Sequence, residues 1–247
     1  MSFNLRCPVE ADGINYFPNR EGNILACIER EQPDLIGFQE AADYSRAFLK
    51  RALCDKYAVL GCGRSATYEG EACCIAFKRD AFDLIAYETK FLSSTPSIPG
   101  SRYEGSDQSH CPRLFSHAEL SVGEGKRIHF YNTHLDHKGA TARLLGMTQI
   151  VQDISECDAP FVLTGDMNAR PDAPEIAVPL NMSGKTVVEA TAALDHTFHA
   201  FGKRTEKCKI DYIFTDAEFH DTYAVTDESA DGVYISDHYP VCTTVEI

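Results

Sequence analysis

The chain has 247 residues, a hydrophobic fraction of 44% and a charged fraction of 24%, as in an ordinary globular protein with a sizeable core and no implied disorder. Its formal net charge of −14 argues against a protein that holds long nucleic acid by neutralising many phosphates, although an acidic enzyme can still act on a phosphate through a metal ion. No linker-like stretch divides the chain, so we expect one domain over residues 1–247.

The ten cysteines are scattered, with one adjacent pair at Cys73 and Cys74 and no C-x-x-C spacing. This distribution predicts reduced thiols and suggests neither a zinc motif nor a redox motif. The first residues lack the basic region of a signal peptide and an apolar stretch long enough to span a membrane. We therefore expect a cytoplasmic protein with no membrane partner.

The first half of the chain alternates strand-like and helix-like segments. A strand is predicted at Ser2 to Cys7, and the segment from Asp34 to Glu40 predicts a second strand that is apolar until its last two residues. Apolar residues at helical spacing predict helices from Asn23 to Arg30 and from Tyr44 to Leu53. Three more strands are predicted at Tyr57 to Leu60, Ala72 to Phe77 and Phe82 to Phe91.

The second half begins with a Pro- and Gly-containing region from Ser93 to Ser109, which predicts a long loop of the kind that is often functional. A helix is predicted from Gly139 to Glu156, with Leu144, Leu145 and Ile150 among the residues of its apolar stripe. A short helix is predicted after Pro174. Strands are predicted at Leu114 to Ser121, Arg127 to Thr133, Pro160 to Thr164, Lys209 to Phe214 and Tyr239 to Glu246.

Several predicted strands end in side chains that can bind metals or activate water. The apolar run before Gly165 presents Asp166 and Asn168, which point the same way on an extended backbone because they are two residues apart. An Asx turn would explain that pair alone. Similar polar residues follow other predicted strands or strand edges, namely Asn4, Glu40, His134, Asp237 and His238. Such a set suits a hard divalent cation with a general base, and its oxygen ligands favour Mg²⁺ over zinc.

Six short motifs follow one another along the chain. They are Ser-Phe-Asn at 2 to 4, Phe-Gln-Glu at 38 to 40, Asn-Thr-His-Leu-Asp-His at 132 to 137, Leu-Thr-Gly-Asp-Met-Asn at 163 to 168, Lys-Ile-Asp-Tyr-Ile-Phe at 209 to 214 and Ser-Asp-His-Tyr-Pro-Val at 236 to 241. In this order they resemble the endonuclease/exonuclease/phosphatase superfamily, and most closely its compact bacterial members related to nocturnin-type and angel-type enzymes. The resemblance implies an α/β fold of the deoxyribonuclease I type, a four-layer α/β/β/α sandwich of two mixed sheets with a site at one rim.

The resemblance also implies a metal-dependent phosphoric ester hydrolase. Such chemistry needs a metal that neutralises charge, a water molecule in line with the leaving group, and donors for the transition-state oxygens. Glu40 matches the principal ligand of Mg²⁺, which Mn²⁺ can replace. Asn4 and Asp237 match residues that support the metal directly or through its waters.

Five further residues match the catalytic positions of the superfamily. His238 matches the residue that activates or orients the attacking water, and Asp211 matches its partner carboxylate. Asp166 and Asn168 match the pair that positions the nucleophile and the scissile phosphate. His134 matches a donor to a non-bridging oxygen.

Three residues are weaker candidates for substrate binding. Arg113 could meet a phosphate with two parallel hydrogen bonds, or could form a structural ion pair. Glu71 resembles a glutamate that supports the site, and an exposed loop carboxylate is the alternative. Phe198, with Phe201, could stack a base, although phenylalanine more often packs in a core. We assign no role to His137.

The substrate is the least determined feature. The lead prediction is hydrolysis of a single-stranded RNA 3′ end or a small soluble phosphodiester. A DNA endonuclease and a phosphomonoesterase of the same superfamily are alternatives, and a phosphate-binding module without catalysis is an alternative of another class. Acidic residues outnumber basic ones by 37 to 23, so we expect no stable binding to duplex DNA. The local basic cluster of Lys203, Arg204, Lys207 and Lys209 could steer a short anionic end or lie in a solvated loop. The oligomeric state is left open.

Overall fold

The computed structural model describes residues 1–226 and 232–247, which form two β-sheets and the helices that cover them. In chain order the strands are β1 (Ser2–Asn4), β2 (Leu35–Ala41), β3 (Tyr57–Leu60), β4 (Ala72–Lys78), β5 (Asp83–Phe91), β6 (Leu114–Gly123), β7 (Lys126–His134), β8 (Phe161–Asp166), β9 (Val188–Glu189), β10 (Asp211–Thr215), β11 (Phe219–Ala224) and β12 (Val241–Val245). The helices are α1 (Phe17–Glu31), α2 (Asp43–Ala52), α3 (Ala140–Ile154) and α4 (Pro174–Leu180), and a 3₁₀ helix precedes α1 at Glu10–Asn15.

Both sheets have six strands and mixed strand directions. The first sheet has the order β11-β12-β1-β2-β4-β3, and the second has the order β5-β6-β7-β8-β10-β9. β1 is parallel to β2 and antiparallel to β12. β7 is parallel to β8, and β10 is antiparallel to β8. These directions place the ends of β1, β2, β7 and β8 and the beginnings of β10 and β12 along one rim.

Three groups of buried apolar side chains define the layers. Ile75 and Phe130 belong to the group between the two sheets. Residues of α1 and α2 pack on the outer face of the first sheet, and residues of α3 and α4 pack on that of the second. Because successive side chains of a strand face opposite sides, Phe130 lies between the sheets whereas Tyr131 lies under α3. This order of helix, sheet, sheet and helix confirms the predicted sandwich.

A buried polar contact joins the sheets below the rim. The Asn132 amide of β7 donates to the backbone carbonyl of Phe38 in β2 at 2.9 Å, and its oxygen accepts from Gln39 Nε2 at 2.7 Å. The sheets approach closely here because Gly37 has no side chain, and a Cβ at that position would lie 2.0 Å from Thr164 Oγ1. The polar contact and the glycine together set the sheet spacing beside the strand ends.

The predicted elements are present, with differences at their edges. α1 begins at Phe17 because Pro18 occupies its first turn, where a missing N–H costs nothing. β1 ends at Asn4, two residues before Arg6 takes a positive φ of 53°. β9 and β11 were not predicted, since β9 is two residues long and β11 is a polar, largely exposed edge strand.

The predicted stripe of α3 was wrong in part. Leu144 and Leu145 are 38% and 41% exposed, whereas Ala142, Gly146 and Met147 are buried with Ile150. Gly146 faces Leu92 and Leu135, and a Cβ at that position would lie 3.0 Å from Leu92 Cδ1. The predicted loop from Ser93 to Ser109 is confirmed, because the chain forms neither helix nor strand there. Across residues 1–226 and 232–247, no helix has the length and apolar character needed to cross a membrane.

Candidate active site

The strand directions bring the predicted site residues together at one rim. Asn4 and His134 are the last residues of β1 and β7, and Asp166 is the last residue of β8. Asp211 begins β10 directly opposite Asp166, because β10 and β8 are antiparallel. Glu40 lies next to the end of β2, and His238 lies just before β12.

His238 and Asp211 form a buried pair. His238 Nδ1 donates to Asp211 Oδ2 at 2.9 Å, which directs Nε2 toward Asp166, whose Oδ2 lies 3.8 Å away. Burial lowers the pKa of His238, but the charge and hydrogen bond of Asp211 raise it more, so that the pKa lies well above its usual value. The backbone N–H of Asp211 donates to Thr197 Oγ1 at 3.1 Å, which holds the start of the strand. His238 is therefore an oriented imidazolium in the absence of other ligands.

Asp166 is the carboxylate at the centre of the cluster. It accepts hydrogen bonds from Asn4 Nδ2 at 2.9 Å and from the backbone N–H of Asn168 at 2.9 Å. Burial and the neighbouring charge of Asp211 raise the pKa of Asp166 above its usual value, against the opposing effect of His238. The sequence suggested an Asx turn or a site at this position; the structure shows the Asx turn, which directs the second carboxylate oxygen toward Asn4.

Glu40 lies beside Asp166 and shares a hydrogen-bond donor with it. Asn4 Nδ2 is 3.2 Å from Glu40 Oε1, and the backbone N–H of Cys7 donates to Oε2 at 2.9 Å. Burial raises the pKa of Glu40, but the Cys7 hydrogen bond and the His238 charge outweigh it and hold the pKa below its usual value. Glu40 has a φ of 57°, a conformation that is costly for a non-glycine residue and is often found at functional sites.

The donor atoms of this region fit a divalent cation. One atom each from Glu40, His134 and Asp166 lie within 4.8 Å of one another. Asp237 is buried nearby, and burial together with repulsion from Glu40 raises its pKa. Two cationic groups lie near it, Arg6 with Nε 3.9 Å from Oδ2 and His238 with Nε2 4.0 Å from Oδ1. Carboxylates that repel one another in a buried cluster, with oxygen as the main donor type, match the requirements of Mg²⁺ or Mn²⁺.

His134 and Asn168 form a second oriented pair. The Asn168 amide donates to His134 Nε2 at 2.9 Å and also to the carbonyl of Leu135 at 3.1 Å, which fixes which amide atom is nitrogen. His134 Nε2 is therefore an acceptor. Burial and the charges of Arg113 and Arg64 hold its pKa well below the usual value, so the ring is neutral. The predicted donation to a phosphate oxygen would come from Nδ1.

A narrow pocket next to Glu40 and His134 contains Arg113, Glu71 and Arg64. Arg113 Nη2 donates to His137 Nδ1 at 3.0 Å, and Arg113 Nε is 3.6 Å from Asp136 Oδ2. Its Nε and Nη1 are buried and have no hydrogen-bond partner among the residues that the structure describes. Glu71 accepts from Arg64 Nη2 at 2.6 Å. The Arg113 guanidinium thus retains two donors beside the candidate metal ligands.

Phe198 lies at the opposite side of the site. Its ring centroid is 4.8 Å from that of His238, and the Arg204 guanidinium lies 5.8 Å from the Phe198 centroid. Two members of the predicted basic cluster are paired with carboxylates, Lys207 with Asp195 at the surface and the buried Lys209 with Glu189. These pairs leave Lys203 and Arg204 as the remaining members that could attract an anion.

Three residues near the site were not assigned from the sequence. Arg64 and Arg6 lie in loops, and their sequence neighbourhood contains no motif that would reveal them. Asp136 stands two residues after His134 in a matched motif, so its position was a usable signal. Its carboxylate accepts from Ser109 and from the backbone N–H groups of Lys138 and Gly139. Asp136 thus holds the long loop against the end of β7.

Comparisons with known proteins find the same fold in solved structures. A structure from Bacteroides vulgatus described as an endonuclease/exonuclease/phosphatase is 26% identical, with a TM-score of 0.88 over 99% of this chain and 97% of that chain. The mannosyl-6-phosphatase of Bacteroides thetaiotaomicron is 26% identical, with a TM-score of 0.85 over 100% and 98%. The human Nocturnin catalytic domain shares the fold at 17% identity and a TM-score of 0.66, over 91% and 87%.

Among curated proteins, none matches the chain at a significant level. The sequence profile of the endonuclease/exonuclease/phosphatase family matches residues 1–238, which is nearly the whole chain. The family and the most similar structures are those of hydrolytic phosphoesterases. The chain therefore belongs to the endonuclease/exonuclease/phosphatase family and is a phosphoesterase with the deoxyribonuclease I type of fold.

Proposed function

We propose that this protein hydrolyses a phosphate ester of a small polar molecule, with Mg²⁺ or Mn²⁺ as cofactor and water as the nucleophile. The observation that carries the proposal is the meeting of Glu40, Asp166 and His238 at one rim, each held by a hydrogen bond to a neighbouring residue. A binding module without catalysis would need an anion site, but it would not need an oriented His-Asp pair beside a buried carboxylate with a raised pKa.

Glu40 is the principal metal ligand in this proposal, supported by Asn4 and Asp237. The metal ion, when bound, neutralises charge on the phosphoryl group and polarises a water molecule. Asn4 bridges Glu40 and Asp166 through one amide nitrogen and accepts from the Arg6 backbone N–H at 2.9 Å. The loss of Asn4 would therefore disturb both carboxylates.

Asp166 and His238 have different roles in the reaction. The environment raises the pKa of both groups, which suits the carboxylate to accept a proton and the imidazole to keep one. A carboxylate whose pKa is raised is a better general base near neutral pH, so Asp166 takes the proton of the attacking water. His238 has a raised pKa and stays charged, so its Nε2–H stabilises negative charge on the phosphoryl group. Asp211 keeps Nδ1 as the other donor.

Asn168, His134 and Arg113, which border Glu40 or Asp166, position the substrate. Asn168 is held through its backbone N–H by Asp166, and its amide orients His134. Arg113 lines the pocket next to Glu40, and its buried Nε and Nη1 have no hydrogen-bond partner among the described residues. Because Nη2 binds His137 and Nε is 3.6 Å from Asp136 Oδ2, Nη1 is the donor left for a phosphate oxygen. Glu71 accepts a hydrogen bond from Arg64 in the same pocket.

A sugar phosphate is the lead substrate. The mannosyl-6-phosphatase of Bacteroides thetaiotaomicron matches the whole chain at 26% identity, and the pocket beside Glu40 is narrow. A single-stranded RNA 3′ end is the second candidate, favoured by the half-buried Phe198 next to His238, where a base could stack. The pairing of Lys207 and Lys209 with carboxylates weakens the case for a long polyanion. A cytoplasmic location remains a prediction.

The test is a substrate panel with mannose 6-phosphate, a small soluble phosphodiester, a short single-stranded RNA and duplex DNA, each with Mg²⁺ and at two salt concentrations. We expect the highest kcat/KM on a small ester, weak or absent cleavage of duplex DNA, and a shallow salt dependence. Asp166→Asn should abolish turnover of every substrate, and Asp80→Asn at an exposed position is the matched control. Activity in excess chelator, or strongly salt-sensitive nicking of duplex DNA, would overturn the proposal.

A further inference from the structure

A second cluster of potential metal ligands lies on the outer face of the second sheet. His117 of β6, His129 of β7 and Cys157, which follows α3, each place one donor atom within 4.8 Å of the others. His129 pairs with the first residue of β8, whereas His134 of the active site pairs with its last residue. At about 3.3 Å per residue, five residues separate the two positions by roughly 17 Å. We call these three residues the outer-face cluster.

The histidines of the outer-face cluster face each other through ring nitrogens. His117 Nε2 and His129 Nδ1 are 2.9 Å apart. The other nitrogen of His117 is 3.3 Å from Glu88 Oε1, and a carboxylate can only accept, so His117 Nδ1 carries the proton. His117 Nε2 therefore offers a lone pair to His129.

His129 is then left without a satisfactory tautomer. It is 5% exposed, and its Nε2 has no hydrogen-bond partner among the described residues, although Asp158 Oδ1 is 3.6 Å away. If His129 carries its proton on Nδ1 alone, the lone pair of Nε2 faces the carboxylate of Asp158. A proton on Nε2 alone sets two lone pairs against each other across 2.9 Å. A cation between the rings, either a second proton or a metal ion, removes the conflict.

Cys157 identifies the kind of ion. Its Sγ is 3.0 Å from Tyr131 Oη, whose one hydrogen is donated to Asp153 Oδ1 at 3.0 Å, so the Cys157 thiol donates to Tyr131 and a bound metal ion would replace that proton. The Tyr131 ring stacks on His117 with centroids 4.1 Å apart, which holds that imidazole flat under the end of α3. Two imidazoles and one thiolate are a ligand set for zinc or a similar borderline ion, and they do not suit Mg²⁺.

We propose that the outer-face cluster binds one Zn²⁺ or chemically similar transition-metal ion through His117 Nε2, His129 Nδ1 and Cys157 Sγ. Glu88 and Asp158 act on the far nitrogens of the two rings, as carboxylates do behind metal-bound histidines. With Zn–N near 2.0–2.1 Å, the facing nitrogens need to separate by about half an ångström. The ion ties β6 and β7 to the residue that follows α3, so it stabilises the second sheet and takes no part in hydrolysis.

The test uses Co²⁺ as the probe, with Mg²⁺ in excess to occupy the catalytic rim and a phosphine to keep the thiols reduced. We expect a thiolate-to-cobalt charge-transfer band in the near ultraviolet that saturates at one equivalent. Cys157→Ser should abolish the band. Cys73→Ser is the matched control, because Cys73 lines the catalytic pocket, and it should leave the band unchanged.

A second variant guards against a folding artefact. Asp158 is exposed and lies behind His129, so Asp158→Asn should leave the protein folded and weaken Co²⁺ binding about tenfold or more. Zn²⁺ should raise the Tm of the wild type and leave that of Cys157→Ser unchanged. A missing band in the wild type would overturn the proposal. A band of full intensity in Cys157→Ser, or one lost in Cys73→Ser, would do the same.

Discussion

The candidate catalytic rim spans both sheets, whereas the outer-face cluster lies on the second sheet alone, and the two are built from different donor atoms. The rim has carboxylate and amide oxygens around one neutral histidine, whereas the outer-face cluster has two imidazoles and a thiol. The rim is reached through a pocket, and the outer-face cluster lies under the end of α3. Oxygen donors favour Mg²⁺, whereas imidazole and thiolate donors favour Zn²⁺. We therefore expect Mg²⁺ at the rim to change the rate of hydrolysis and Zn²⁺ at the outer-face cluster to change the stability of the fold.

The largest expected effect tests the rim alone. His238→Ala should lower kcat by at least about a hundredfold, because it removes the oriented imidazolium that stabilises charge on the phosphoryl group. His220→Ala, at an exposed histidine, is the control and should be neutral. The variant should keep the Co²⁺ band of the outer-face cluster. Wild-type turnover in folded His238→Ala would show that the rim works without this residue.

The second prediction concerns the metal. Glu40→Gln should raise the Mg²⁺ concentration for half-maximal activity about tenfold or more, because it removes the carboxylate assigned to direct coordination. The measurement is a Mg²⁺ titration of activity, with Glu29→Gln at an exposed ion pair as the control. An unchanged titration curve in Glu40→Gln would move the metal to other ligands. Zn²⁺ stabilisation should be the same in both variants.

The third prediction is that Arg113 contributes to substrate binding more than to the chemical step. Arg113→Met removes a guanidinium with two unpaired donors beside the pocket and should raise KM about tenfold, since a hydrogen bond to a charged group contributes roughly 1.5–3 kcal/mol. Arg127→Met, which breaks surface ion pairs beside His129, is the matched control and should leave KM unchanged. A fall in kcat with an unchanged KM would instead place Arg113 at the transition state.

The smallest effect concerns stability at acid pH. Burial raises the pKa of Asp136, but hydrogen bonds from Gly139, Ser109 and Lys138 outweigh it and hold the pKa at about 2. The unfolded value is near 3.9, so the carboxylate stabilises the fold above about pH 4. That stability is lost as pH falls through the folded pKa. We expect about 1–2 kcal/mol less stability in Asp136→Asn at pH 6, with the difference from wild type shrinking toward pH 2. Urea unfolding at both pH values measures it, with Asp80→Asn as control.

Short-range patterns were sufficient for most elements, and the failures have local causes. The predicted strands around Glu40, His134 and Asp166 are confirmed because each is an apolar run that ends in a polar residue. The α3 stripe was wrong in part because helix burial depends on which neighbours pack on it. Gly146 is buried where the helix lies close to Leu92, and no property of a small residue indicates that in advance.

Some features of the candidate site residues were also predictable from short-range patterns, and others were not. Their identities came from motifs, because each motif lies on one strand end or turn and keeps its own side chains in order. Arg113 illustrates the limit, since its two unpaired donors and its contact with His137 depend on a pocket made by β4, β6 and β7. Lys209 illustrates the opposite error, because it was grouped with possible steering charges and is buried against Glu189.

The sequence by itself determined the reaction class, because the ordered motifs preserve the chemical groups that phosphoester hydrolysis needs. It also indicated the alternation of elements, because hydrophobic periodicity is a local property. The tertiary structure alone decided which groups share protons, since the pair of His238 with Asp211 depends on a contact between residues 27 positions apart. It likewise decided the outer-face cluster, where His117, His129 and Cys157 have no metal-binding spacing along the chain and meet because two strands and a helix end fold together.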